Sequence, residues 1–232
     1  GVMPASAAGK KSVSTVLSGP AAGVLGGVGL ARQAGFDNAI TVDMGGTSFD
    51  ICLAYRGEFK LTRECEIGGH ALKVPMIDMH TIGAGGGSIA WIDPGGMLKV
   101  GPHSAGATPG PACYGRGGDR PTVTDANLVL RRLNPDYLLG GEMAVDSKAA
   151  FAIIEKHIAR PLGLDVFRAA EGITRVVNAS MVKGIRRVSV ERGFDPREFN
   201  LVCFGGNGPV HALDLARELS IPRVIVPFAP GA

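Results

Sequence analysis

Thr41-Val-Asp-Met-Gly-Gly-Thr-Ser-Phe-Asp-Ile-Cys-Leu53 sets a carboxylate, two glycines and two hydroxyls between two apolar, β-branched runs. Ala39 to Val42 and Phe49 to Tyr55 read as strands, and Glu58 to Arg63 as a third, with Arg56-Gly57 as the turn of a meander. Asp43 then stands at the C-terminal end of the first strand. Gly45 and Gly46 carry no side chain that would keep a ligand from the backbone amides, and Thr47 and Ser48 add hydroxyl donors. Such a turn suits a phosphate chain, with amides on its oxygens and a carboxylate on magnesium or its waters. The same residues also read as a plain glycine-rich β-turn capped by Asp43. No GK[ST] follows, which excludes a P-loop, and no GxGxxG opens a helix here.

A second glycine turn lies about 160 residues on. Leu201 to Phe204 reads as a buried strand, and Gly205-Gly-Asn-Gly-Pro209 as a sharp turn with Asn207 as N-cap. Val210 to Leu219 follows as a helix and Arg223 to Val226 as a strand. This βαβ unit implies a parallel strand pair, so the class is α/β with a mixed sheet. Amides and the positive helix end would face whatever lies over the strand ends. The two turns, Asp43 to Ser48 and Gly205 to Gly208, read as two walls of one cleft.

Glycine supplies 35 of the 232 residues, in clusters without a period, which excludes collagen-like and low-complexity chains. A helix is expected after Ser18, with Ser18 as N-cap, although its many glycines cost about 1 kcal/mol each relative to alanine. Something must approach that helix closely. From Pro75 to Gly118 glycine and proline dominate, with a hairpin around Asp93-Pro-Gly-Gly96. Helical patterns run over Thr124 to Leu133, Ser147 to Ile158 and Asp165 to Arg192. The last steps Phe167, Ala170, Ile173, Val177, Met181, Ile185 and Val188 along one buried face.

LSGPAAGV, TVDMGGTSFDICL, MIDMHTIGAGGGSIAWID, SAGATPGPACYGRGG, PTVTDAN and FGGNGPVHA together closely resemble the hydantoinase A/oxoprolinase family. The resemblance runs over nearly the whole chain and implies an actin-like ATPase fold, ribonuclease H-like, with flanking helices. It makes residues 1–232 one half-domain, with a long glycine-rich insertion over residues 56–120. It implies ATP and Mg²⁺ as cofactors, with Asp43, Gly45, Gly46, Thr47 and Ser48 as the second phosphate turn. Gly205, Gly206, Asn207 and Gly208 become the adenosine turn. The family's first phosphate turn lies in a preceding N-terminal half, so this chain is expected to be a fragment of a longer subunit. The implied activity is ATP-dependent hydrolysis of a cyclic amide, such as hydantoin or 5-oxoproline, by phosphorylation of the amide. A hydantoinase B-type subunit is the implied partner. An acetone or acetophenone-type carboxylase subunit is the alternative, and a non-catalytic interaction module is a third reading.

Asp78 and His80, two apart beside a glycine loop, would face one side of a strand, as a hydrogen-bonded structural pair or as metal or acid-base groups. His211, near a positive helix end, is expected to stay neutral. Cys52, Cys65, Cys113 and Cys203 form no paired spacing, so disulfides and a zinc cage are not indicated and a reducing cytoplasm fits. No apolar run reaches the roughly 18 residues of a membrane span. With net charge +3 and interspersed signs, no nucleic-acid surface is indicated, and Lys183-Gly-Ile-Arg-Arg187 reads as a solvated helix face.

Overall fold

The computed structural model describes residues 4–10, 12–67, 70–136, 138 and 141–231. After two short helical turns, Ala5–Ala8 and Ser12–Thr15, comes α1 (Ser18–Gln33), followed by β1 (Ala39–Met44) and β2 (Phe49–Tyr55), which pair antiparallel around the Gly45-Gly46 turn. Arg56 and Gly57, with φ of 55° and 75°, form a two-residue turn with both residues left-handed, which matches the twist of a hairpin. It leads into β3 (Glu58–Phe59), which pairs with β2. The expected third strand does not run on to Arg63: it breaks at Lys60, and Leu61–Thr62 pairs instead with Met76–Ile77. β4 (His80–Ile82) returns to β2, setting Thr81 opposite Asp50 and His80 opposite Ile51.

β5 (Ser88–Ile92) and β6 (Leu98–Ser104) form the hairpin expected around Asp93, whose Oδ1 accepts from the N–H groups of Gly95 and Met97. β7 (Asn200–Phe204) lies parallel to β1, Asp43 beside Phe204, and β8 (Val224–Ile225) lies parallel to β7. The six-stranded sheet therefore runs β8-β7-β1-β2-β3, with β4 also on β2.

Helices cover both faces, as strands buried on two sides require. Ile40, Val42 and Met44 of β1, with Phe49, Ile51, Leu201 and Cys203, join the main core. Its helical wall is α2 (Val123–Val129), α3 (Ser147–Ile154), α4 (Val166–Val188) and α5 (Gly208–Leu219). Ile173, Met181 and Ile185 of α4 are fully buried, each contributing about 2 kcal/mol relative to exposure. Phe167 departs from the expected stripe: it is 51% exposed and meets Phe151 edge-on. α2 ends before Leu133 because Arg131 adopts φ 58°.

The opposite face carries α1, and here the glycine question is answered. A Cβ on Gly23 would stand 2.5 Å from the Phe204 ring, and one on Gly27 would stand 3.1 Å from Thr41 Cγ2. Gly19, Gly26 and Gly29 have no such neighbour, and packing does not explain them. Ser18 is not the cap. The helix starts at Ser18 itself, after Leu17 in a left-handed conformation, with no side-chain cap. Since Gly27 meets Thr41 and Gly23 meets Phe204, α1 runs antiparallel to β1, and its N-terminus stands at the edge where both glycine turns emerge.

Candidate functional site

Because β1 and β7 are adjacent and parallel, the turns that follow them are bonded to each other instead of standing apart as two walls. Gly45 O accepts from Gly86 N at 3.0 Å and Asn207 Nδ2 at 3.2 Å, and Gly46 O accepts from Gly87 N at 2.7 Å. Both peptides are trans, so each pinned carbonyl turns the amide of its own plane the opposite way. The N–H groups of Gly46 and Thr47 therefore point away from the Gly85–Gly87 loop. Among the described residues no backbone or side-chain group accepts from them, and both residues are exposed. A Cβ on Gly45 or Gly46 would meet nothing within 4 Å. Two successive outward amides over open space make a concavity for an anion.

The loop beneath is glycine by necessity. A Cβ on Gly85 would lie 2.5 Å from Thr47 N, and one on Gly87 would lie 2.9 Å from Gly46 O. Gly86 O in turn accepts from both Thr124 N (2.8 Å) and Thr124 Oγ1 (2.9 Å) at the start of α2. That helix start is fixed by a capping box between Thr122 and Asp125.

Asp43 and Asp50 face each other across the β1–β2 pair, both half-buried. Ser48 Oγ and Thr81 Oγ1 donate to separate oxygens of Asp50. The Ser48 hydroxyl is thus engaged within the protein, while Thr47 stays open. Asp43 has no hydrogen-bond partner among the described residues, and burial, then the charge of Asp50, holds its pKa above the usual carboxylate range. Asp50 was not singled out from sequence, although reading DMGGTSFD symmetrically about its turn pairs Met44 with Phe49 and Asp43 with Asp50.

Gly205 backs the pair from β7. With φ 79°, it lies where a Cβ would overlap Asp43 Oδ1 and stand 2.6 Å from Met44 O. Gly206 is exposed and a Cβ on it would meet nothing within 4 Å, while Gly208 opens α5. Asn207 holds the cap position of α5, but its side chain does not cap: it reaches to Gly45 O while its N–H donates to Met44 O at 2.9 Å. His211 is fully buried, with Nδ1 at 2.7 Å from Asn178 Oδ1 and Nε2 at 3.0 Å from Asn127 Nδ2. A carbonyl oxygen on one side and an amide donor on the other assign the neutral ring with its proton on Nδ1. Its pKa is pushed down to about 4, by burial first and Arg132 second, so burial supplies what was expected of the helix end.

Asp78 and His80 are not brought to this place. His80 shares the face of Ile51, whereas Asp43 and Asp50 share the other face with Thr81. Asp78 accepts from Arg192 NH1 at 2.8 Å, and burial, Arg187 and Arg192 together hold the His80 pKa below its ordinary value. Two guanidiniums beside an imidazole disfavour a cation there, and among the described residues no cluster of three or more His, Cys, Asp or Glu could hold a metal ion.

A family model described as Hydantoinase/oxoprolinase matches residues 1–232. Caprolactamase subunit alpha of Pseudomonas jessenii is 50% identical over 227 residues, covering 98% of this chain and 33% of that protein. The crystal structure of the ATP-dependent caprolactamase from the same organism matches with 51% identity and a TM-score of 0.81, over 89% of this chain and 30% of that one. Nucleotide-free acetone carboxylase, solved in a study of ATP-dependent acetone carboxylation, matches with 35% identity and a TM-score of 0.86, over 94% and 31%. The chain thus spans about a third of the length of these relatives. It has their fold, the α/β class with a mixed sheet and flanking helices expected from the sequence. No helix among the described residues is long and apolar enough to cross a membrane.

Proposed function

Because the chain belongs to the hydantoinase/oxoprolinase family, we propose that it is the nucleotide-binding part of an ATP-dependent cyclic amide hydrolase. The observation that carries this reading is the pair of outward amides, Gly46 and Thr47, beside the facing carboxylates Asp43 and Asp50. Amide N–H groups bind phosphate oxygens, and two carboxylates without a basic partner among the described residues suit a divalent cation. Asp43 and Asp50 would hold Mg²⁺, which neutralises charge on the phosphates. Ser48 and Thr81 keep Asp50 in place, and Gly205 leaves room for the Asp43 carboxylate. Gly206 and Asn207 would back the adenosine side, and the N-terminus of α1 adds positive potential at the same edge.

The chemistry that needs such a site is the opening of an unreactive ring. The amide oxygen attacks the terminal phosphorus and ADP leaves. Water then adds to the carbon of the phosphorylated imidate, the ring C–N bond breaks with the nitrogen protonated and leaving as the amine, and a second water hydrolyses the resulting acyl phosphate to carboxylate and phosphate. The protein contributes positioning and electrostatics, as in phosphoryl transfer generally. A lactam, hydantoin or 5-oxoproline ring is the substrate class, and a second, hydantoinase B-type subunit completes ring opening. The nucleotide's other wall comes from sequence beyond this third of the relatives' length. The cytoplasm is the compartment, where the buried free thiols of Cys52, Cys113 and Cys203 stay reduced.

Likeness to acetone carboxylase favours a second reading, in which the same site phosphorylates a carbonyl or bicarbonate oxygen. ATP consumption by the full-length subunit and its partner, measured with lactams, hydantoin and 5-oxoproline against ketone plus bicarbonate, separates the two. Asp43→Asn in that enzyme is expected to keep the fold and lower ATP turnover by about 100-fold or more. Unchanged turnover in a folded Asp43→Asn enzyme sinks the assignment of the site.

A further inference from the structure

We propose that His211 is a positioning residue for the nucleotide site, holding the Gly205–Gly208 turn in register with the Gly45-Gly46 turn through α2. The proposal rests on the nucleotide reading above. The geometry is a closed circuit of hydrogen bonds. Gly86 N donates to Gly45 O, and Gly86 O is held by Thr124 of α2. Three residues along the same helix, Asn127 donates to His211 Nε2 of α5 at 3.0 Å. One helical turn back from His211, Asn207 returns to Gly45 O at 3.2 Å. Each covalent stretch in the circuit is short: one residue at Gly86, one helical turn of α2, one turn at the start of α5.

The imidazole is the link between the two helices in that circuit, and its other nitrogen is tied to α4 through Asn178 Oδ1 at 2.7 Å. A ring bonded at both nitrogens cannot swing, so α5 cannot rotate about its axis without breaking both bonds. What rotation would move is the start of the helix, where Gly206 is exposed and the Asn207 N–H is bonded to Met44 O. A second clamp lies further out. Asp214, one turn beyond His211 on α5, accepts from Asn178 Nδ2 at 3.1 Å and from Arg132 NH1 at 2.8 Å, just past the end of α2. His211 itself is fully buried and so stays out of contact with ligand.

Two variants of the full-length subunit, assembled with its natural partner, test this. His211→Gln keeps one donor and one acceptor in the ring's place; His211→Phe keeps the bulk and neither. His211→Phe is expected to raise the KM for ATP about tenfold with a smaller change in kcat, and His211→Gln to stay within about threefold of wild type. In wild type, nitrogen NMR of the ring is expected to show one proton, on Nδ1. A His211→Phe enzyme that is less heat-stable but has the wild-type KM for ATP overturns the proposal, because loss of packing alone then accounts for the residue. Should His211→Phe not fold, Asn178→Ala, which frees Nδ1, carries the same reading: a raised KM supports the proposal and an unchanged KM overturns it. Wild-type turnover that needs no ATP overturns the nucleotide reading and this proposal with it, a result distinct from equal ATP dependence in wild type and variant.

Discussion

The turn after β1 and the turn after β7 share a pair of glycines and a place at one sheet edge, yet the glycines serve opposite ends. Gly45 and Gly46 face open space and need no left-handed backbone; a side chain there would fill the room above the amides. Gly205 has positive φ and is pressed against Asp43 and Met44. In the first turn the absence of a side chain leaves room for a ligand. In the second it lets the protein's own carboxylate sit where it does.

Substitution at Gly205 separates the two most sharply. Gly205→Ala forces a Cβ onto the Asp43 carboxylate at a disfavoured φ, and is expected to destabilise the fold by roughly 3–5 kcal/mol in denaturant unfolding. A neutral result there would mean the turn can shift as a unit and the contrast between the turns is empty. Acid tests the helix behind the second turn. His211 protonates near pH 4 when folded and near 6.5 when unfolded, so the unfolded chain takes up its proton first as pH falls. Its contribution is present in full above pH 6.5 and is lost on the way down to pH 4, on the order of 3 kcal/mol in all. The wild type should therefore lose more stability over that window than His211→Gln does.

Asn207→Ala removes the side-chain tie between the turns while Gly86 N still holds Gly45 O. A loss of about 1 kcal/mol is expected, since one hydrogen bond goes and no buried group is orphaned. Gly46→Ala should change stability least, by under about 0.5 kcal/mol, because its Cβ meets nothing. Binding of ATP to the full-length subunit should nevertheless weaken about tenfold or more if the amide of Gly46 lies against phosphate. Full affinity in Gly46→Ala would remove the first turn from the site.

Much of this was legible in the chain. The hairpin around Gly45-Gly46, the Arg56-Gly57 turn, the buried stripe of α4 and the strand–turn–helix at Phe204 to Leu219 each follow from local pattern, and the motifs led to the right fold. What escaped depends on tertiary contact. Ser18 looks like a cap, but Leu17 takes the cap position with a left-handed backbone. Asn207 has the right residue type for a cap, and its amide instead meets a carbonyl 162 positions away. Asp78 and His80 look like a pair near the glycine loop, yet β4 turns His80 to the face opposite Asp43 and Arg192 claims Asp78. Glycines in α1 looked costly until the ring of Phe204 was seen resting on Gly23.

The parallel pairing of β1 with β7 also bears on the order in which the site is built. The hairpin of Asp43 and Asp50 closes over a handful of residues, so it can form as soon as that segment is free to fold. The strand that brings Gly205 and Asn207 pairs with it across more than 150 residues of intervening chain, and contacts so distant in sequence close late and slowly. During synthesis at about 5–20 residues per second, β1 would wait several seconds or more for its neighbour, with that edge unpaired. The Gly45-Gly46 turn is therefore expected to exist before anything behind it does, and a chaperone that shields β1 over that interval would protect the yield of folded protein more than its final stability.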